Sequence, residues 1–492
     1  MLFNSVAFLI YFLPAALALF YLAARLGGGE AARWTLIAAS FFFYAYTLPW
    51  HLLLLVGSLL INFQAGRWIE AADGDRRWWL AAGFVALNLG LIAWFKYLNF
   101  LIGTVSVALG FDPHFLAIAL PLAISFFTFQ QIAYLVNAYR GQSLQPTISE
   151  YMSFVAFFPH LIAGPLVQHS DIIPQFRDPR TYRFDADRFT AGLTVFLLGL
   201  AKKVVLADQF GVYADVTFNG VARAVDPTLW EAWGGILAYT LQLYFDFSGY
   251  SDMAIGLGLM FGIVMPVNFN SPYKATSIID FWNRWHMTLS RFLRDFLYIP
   301  LGGSRKGPLR RYVNLIITML LGGLWHGAAW TFVLWGGLHG AYLCVNHGFR
   351  AVAKGVRGRA VTVAGWALTF LAVALAWIPF RAHDLSATGR ILGGAFAAHG
   401  AALPTELLDK LPFLRLFGAP LGKLPLAADG TNLGFLSMWL LLAFGLALVW
   451  FAPNIKQMSE KTRRWMIAAS FALVIQKVFF SGTISSFLYF RF

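Results

Sequence analysis

Tyr312–Val345 reads YVNLIITMLLGGLWHGAAWTFVLWGGLHGAYLCV, an apolar stretch that nonetheless carries two histidines. As a single helix, about 34 residues would run for roughly 50 Å, too long for one straight crossing of a hydrocarbon core of about 30 Å. A break is therefore expected, and Gly322-Gly323, Gly327 or Gly336-Gly337 could supply it. On an unbroken helix His326 and His339 would stand about 20 Å apart on roughly opposite faces. That spacing argues against one shared metal site.

The rest of the chain has the same character. Of its 492 residues, 59% are hydrophobic and 12% charged, with a mean hydropathy of +0.64. A soluble globular chain carries about 25% charged residues, so the composition indicates an all-α polytopic membrane protein built as one domain over 1–492. The net charge of +14 comes from basic residues in short segments between apolar runs, as the positive-inside rule expects. It is read as topology and not as a nucleic-acid surface. A single cysteine, Cys344, excludes an intrachain disulfide and a cysteine-based metal cluster; it is read as a packing residue.

The opening MLFNSVAFLIYFLPAALALFYLAARL lacks a basic n-region and a small-residue cleavage site, so it reads as a first transmembrane helix. Apolar runs follow at 32–48, 51–69, 78–109 and 115–139, with Lys96 marking a joint within the third. The polar Gln130, Gln131 and Asn137 of the fourth must find partners inside a bundle. The segment 151–167, interrupted by Pro159, Gly164 and Pro165, reads as a broken or re-entrant helix. After a polar surface joint at 168–188 come runs at 189–211 and 228–269, the second expected to make two crossings. Runs at 361–380, 433–452 and 464–481 finish the chain, with a Gly, Pro and Ala rich interval at 382–432 that would lie at an interface. The total is about eleven to thirteen crossings. The basic joint 270–311 and the cluster Arg350, Lys354, Arg357 and Arg359 are assigned to the cytoplasmic side.

Within that joint, residues 280–297 pattern as an amphipathic helix lying in the membrane plane. Trp282, Trp285, His286, Leu289, Phe292, Leu293, Phe296 and Leu297 fall on one side, and Asp280, Arg284, Arg291, Arg294 and Asp295 on the other. Ionisable residues at membrane depth are costly and are functional candidates by default. Asp246 and Asp252 in LQLYFDFSGYSDMAIG qualify, against the alternative of a structural network with Tyr244, Ser248, Tyr250 or Ser251; Lys202-Lys203 qualifies against simple snorkelling. The strongest candidate is His326, set among glycines with Trp325 and Trp330 beside it. Histidine can take and return a proton near neutral pH. No GxSxG elbow, HExxH helix, Walker loop or GxGxxG turn is present. An enzyme built from these residues would work through histidine, without a serine triad or a metal.

Several stretches together resemble one family, the membrane-bound O-acyltransferases. They are MLFNSVAFLIYFLP at the start, PLAISFFTFQQIAYLVNAYRG at 121–141, FFPHLIAGPLVQ at 157–168, YFDFSGYSDMAIGLGLMFGI at 244–263, FWNRWHMTLSRFLRDFLYIPLGGSRKG at 281–307, GGLWHGAAWTFVLWGGLHG at 322–340 and the terminal FLYFRF. The closest likeness is to the branch containing the membrane subunit of bacterial alginate O-acetylation. Asn137 stands where an aspartate is expected in this branch, a departure that touches no catalytic role.

The resemblance implies that His326 of the WHG motif is the catalytic histidine and His286 of the RWH motif an important second one. It implies transmembrane, re-entrant and interfacial helices around a thinned centre, where a cytosolic donor and an extracytoplasmic acceptor approach one histidine from opposite sides. His326 would act as general base on an acceptor hydroxyl that attacks an acetyl thioester, with an acyl-histidine intermediate as the alternative. Asp246, Asp252, Trp325, Trp330 and His339 are the supporting or substrate-path candidates. The resemblance further implies acetyl-CoA as donor, no permanently bound cofactor, a bacterial inner-membrane location among lipid, a periplasmic SGNH-type acetyltransferase partner and a polysaccharide as final acceptor. The alternatives within the family are peptidoglycan acetylation and teichoic acid D-alanylation. From another class, the alternative is a transporter using Asp246, Asp252 and Lys202.

Overall fold

A computed structural model of the chain describes residues 1–46, 48–353, 356, 358–421, 426, 432–480 and 485–488. Lys354, Arg357 and the last four residues of FLYFRF lie outside the described residues. The described chain is predominantly helical, with one short parallel strand pair, Ala402–Pro404 with Ala419–Leu421. Six helices among the described residues are long and apolar enough to cross a membrane: Ala7–Ala45, Trp50–Ala71, Gly74–Leu109, Ala186–Ala222, Arg359–Arg381 and Gly434–Phe451. The protein is a multi-pass membrane protein.

Several of the apolar runs take a form that has a local cause. The first two runs are two helical segments separated, as expected, by a kink at Gly28, whose φ of 71° suits glycine. The run at 78–109 stays joined through a π-helical turn at Ala93–Tyr97 that contains Lys96. The run at 228–269 contains one helix, Leu229–Met260, and not the two expected crossings. The segment around Pro159 is broken as predicted, into Ile148–Ala156 and Phe158–Leu161.

By internal packing the chain forms two compact units. Among the described residues the first comprises those of 1–201, 249–268 and 460–488, and the second those of 202–248 and 269–459. In the first unit, Ile124–Tyr139 is buried along nearly all of its length, so its polar side chains must be paired internally. Gln131 Oε1 accepts from Ser58 Oγ at 2.7 Å and from Asn62 Nδ2 at 2.6 Å, and Asn62 and Asn88 bond each other. Gln130 meets His160 at 3.3 Å, and Asn137 meets His169 at 3.5 Å. The polar joint after it is ordered: Arg177 clasps Glu150 through two nitrogens at 2.9 and 3.0 Å.

The second unit is built on the stretch that opened the sequence reading. Gly307–His326 and Trp330–Val352 are two helices folded back on each other. Their close approach needs small residues at the crossing, the logic of a Gly-xxx-Gly pair such as Gly336 and Gly340. A Cβ on Gly323 would strike the Phe332 carbonyl oxygen, one on Gly336 the Met319 carbonyl oxygen, and one on Gly340 would lie 2.9 Å from Ile316 Cδ1. Arg359–Arg381 packs along the returning helix.

Candidate active site

The break expected in the opening stretch falls directly after His326. Gly327 leaves the helix in extended geometry (φ −160°, ψ 149°), Ala329 is extended too, and a new helix begins at Trp330. The imidazole of His326 therefore sits at a helix end. Its side walls are aromatic: Trp325 at 4.9 Å between ring centroids, Trp335 at 5.1 Å from the returning helix, and Phe380 at 5.1 Å from Arg359–Arg381. Only 6% of the residue is exposed.

His286 comes from a segment that does not fold as the single amphipathic helix predicted over 280–297. Two short helices, Ile278–Trp282 and Met287–Leu293, are joined at His286 itself, which holds a left-handed backbone (φ 42°, ψ 53°). A non-glycine residue in that region is strained and persists only where its surroundings hold it. The predicted facing is nonetheless largely correct. Trp282, Trp285, His286, Leu289, Phe292 and Leu293 are buried, while Arg294 is exposed. The fully buried His286 ring lies 4.7 Å from Phe247 and 6.4 Å from Trp325.

His339 is also fully buried. Its ring is enclosed by Trp335 at 4.7 Å, Trp282 at 5.2 Å, Tyr342 at 5.8 Å and Phe281 and Trp377 at 6.1 Å. Neither of its nitrogens has a hydrogen-bond partner among the described residues. The three histidines thus alternate with two tryptophans, in the order His286, Trp325, His326, Trp335, His339. The separation of His326 and His339 onto opposite faces holds only for an unbroken helix; the turn at Gly327 brings both rings onto Trp335.

The other candidates are placed differently. Asp246 is buried in an ion pair with Lys203 Nζ at 2.6 Å, and the same ammonium meets Asp208 at 2.8 Å. This pairing gives a buried lysine the charge partners it requires. Asp252 is half-buried and belongs to the first unit. Trp330 opens the returning helix and keeps 52% of its surface exposed. Sequence reasoning missed Trp335, Phe380, Trp377, Phe247 and Asp208. Trp335 carried a usable signal, standing four residues before His339 and hence on the same helix face; Phe380 carried none. Among the described residues no three His, Cys, Asp or Glu side chains converge as metal ligands.

Comparison with known proteins places this geometry in context. The model of the membrane-bound O-acyltransferase family matches residues 37–378, a stretch that holds all three histidines and both tryptophans. The chain belongs to the membrane-bound O-acyltransferase family. It is 42% identical over 433 residues to the peptidoglycan O-acetyltransferase of Helicobacter pylori, covering 82% of this chain and 81% of that protein. It is 42% identical over 435 residues to the probable alginate O-acetylase AlgI of Pseudomonas aeruginosa, covering 87% and 80%. A more distant relative is the teichoic acid D-alanyltransferase of Streptococcus thermophilus, 29% identical over 237 residues, 46% of this chain and 56% of that protein. Like the rest of this family, the chain is an acyltransferase, and its histidine and tryptophan row is the candidate reaction centre.

Proposed function

We propose that this acyltransferase works in the bacterial inner membrane and passes acetyl groups from cytoplasmic acetyl-CoA across the membrane for O-acetylation of an exopolysaccharide such as alginate. The observation that carries the reading is the position of His326. It is a nearly buried imidazole at the end of a broken helix, walled by Trp325, Trp335 and Phe380. Aromatic walls exclude bulk water, which protects a thioester from hydrolysis and strengthens every polar interaction within.

The chemistry follows from what a neutral imidazole can do. His326 accepts the proton of an acceptor hydroxyl while the oxygen attacks the acetyl carbonyl carbon. A new C–O bond forms, the thioester π electrons move onto oxygen, and collapse of that adduct breaks the C–S bond. The proton held by His326 then passes to the departing thiolate. Positively charged residues of the 270–311 joint, among them the exposed Arg305, Lys306 and Arg310, suit the phosphates of such a donor. The periplasmic end of the route is assigned to an SGNH-type acetyltransferase that relays acetyl to the polymer.

Peptidoglycan is the second reading of the acceptor, because the Helicobacter pylori relative is as similar as the alginate acetylases. The test is complementation in cells. A His326→Ala chain that inserts at wild-type levels is expected to leave the polysaccharide unacetylated, and normal acetylation would rule the assignment out. Loss of acetyl from peptidoglycan, with the exopolysaccharide unchanged, would move the acceptor to the second reading.

A further inference from the structure

Trp282, Trp335 and His339 form a triangle of mutual contacts. Ring centroids are 4.7 Å apart for Trp335 and His339, 5.2 Å for Trp282 and His339, and 5.9 Å for the two indoles. Their exposures are 9%, 1% and 0% in chain order. Both indole nitrogens and both imidazole nitrogens lack a hydrogen-bond partner among the described residues. Buried polar groups are paired in the great majority of cases, so each exception needs an explanation. Here four such atoms are carried by three rings in mutual contact.

The chemistry of the four atoms says what is missing. An indole only donates, and a neutral imidazole donates once and accepts once. The set therefore has three donors to one acceptor, and its missing partner is an oxygen. The enclosing Phe281, Tyr342 and Trp377 rings carry no anionic group, so an acyl group bearing an ammonium would be buried without a counter-charge. Trp335 touches His326 on its other contact, at 5.1 Å. The three-ring cluster thus borders the proposed base.

We propose that Trp335 and His339, supported by Trp282, bind the carbonyl oxygen of a short uncharged acyl group and stabilise the oxyanion that forms on it. This rests on the reading of His326 as the base. When His326 takes the hydroxyl proton and the C–O bond forms, the negative charge gathers on the former carbonyl oxygen. N–H donors held in place by ring packing act without reorganising, which is the usual strength of an oxyanion site. The same donors release the charge when the C–S bond breaks and the carbonyl returns. The acyl group this site takes is acetyl, and a D-alanyl group is excluded.

The experiment uses the full chain in lipid nanodiscs, with acetyl-CoA carrying an isotope-labelled carbonyl as the probe and infrared difference spectra as the readout. The bound carbonyl band is expected to shift to lower frequency in wild type and in His326→Ala, and to return towards the free value in Trp335→Phe and His339→Leu. In turnover, Trp335→Phe is expected to lower kcat by about 100-fold with KM for acetyl-CoA changed by less than about threefold. His339→Asn, which keeps an N–H, should recover part of the activity lost in His339→Leu. A packing role alone would reduce the yield of folded protein without moving the band or splitting kcat from KM. An unshifted band in wild type, or the same shift in all variants, overturns the proposal while leaving the role of His326 intact. No bound acetyl-CoA in wild type counts against the donor assignment and this site together.

Discussion

Two buried polar clusters in this protein are built on opposite principles. In the first unit, Ser58, Asn62, Asn88 and Gln131 spend their hydrogen bonds on one another at distances from 2.6 to 3.4 Å. In the second, His339, Trp335 and Trp282 are packed ring against ring with their nitrogens unpaired among the described residues. Both sets are hidden from solvent, so exposure does not distinguish them. Satisfaction does: the four side chains of the first cluster bond one another and leave only Gln131 Nε2 without a partner among the described residues, whereas none of the four ring nitrogens of the second has one. Buried donors without partners lower stability, and those of the second cluster adjoin the candidate base.

Variants can break or sharpen that contrast. The largest effect on stability is expected at Lys203, whose ammonium balances Asp246 and Asp208. Lys203→Met leaves a buried carboxylate without its counter-charge and should cost about 3–5 kcal/mol, seen as loss of monodisperse protein on size-exclusion chromatography. Gln131→Leu removes the acceptor shared by Ser58 and Asn62. The stranded donors should cost about 1–3 kcal/mol in thermal unfolding, with kcat per folded molecule unchanged. His339→Leu is expected to do the reverse. It removes nitrogens that had no partner, so the melting temperature should hold or rise, by about 1 kcal/mol at most, while acetyl transfer falls. If His339→Leu destabilises as much as Gln131→Leu, the two clusters are alike and the contrast fails.

Much of this arrangement was legible in the sequence, and the parts that were not share a cause. Composition identified a polytopic helical protein, and glycine placement announced a break near His326, because both are local properties. The inward facing of Trp282, Trp285, His286 and Leu289 came from helical periodicity. It survived even though the helix breaks at His286, since the two short helices around it keep the same side buried. That left-handed turn was invisible because tertiary packing, not local preference, holds it. Likewise the meeting of His326 and His339 on Trp335 depends on the direction in which the chain leaves Gly327. The pairing of Asp246 with Lys203 joins residues far apart in sequence, and Phe380 reaches His326 from a third helix. Periodicity cannot report such meetings.

The division of the 228–269 run went astray for a related reason. Hydropathy sees lengths of apolar chain and not where a helix continues, so Leu229–Met260 was divided in two.

The account depends most on His326 as the base. Purified protein incubated with labelled acetyl-CoA, the periplasmic SGNH-type acetyltransferase and alginate oligosaccharides, wild type beside His326→Ala, measures that directly. The account predicts label transferred by wild type and a rate about 10²–10⁴-fold lower for the variant, with both proteins equally folded. Equal transfer by the two would contradict it.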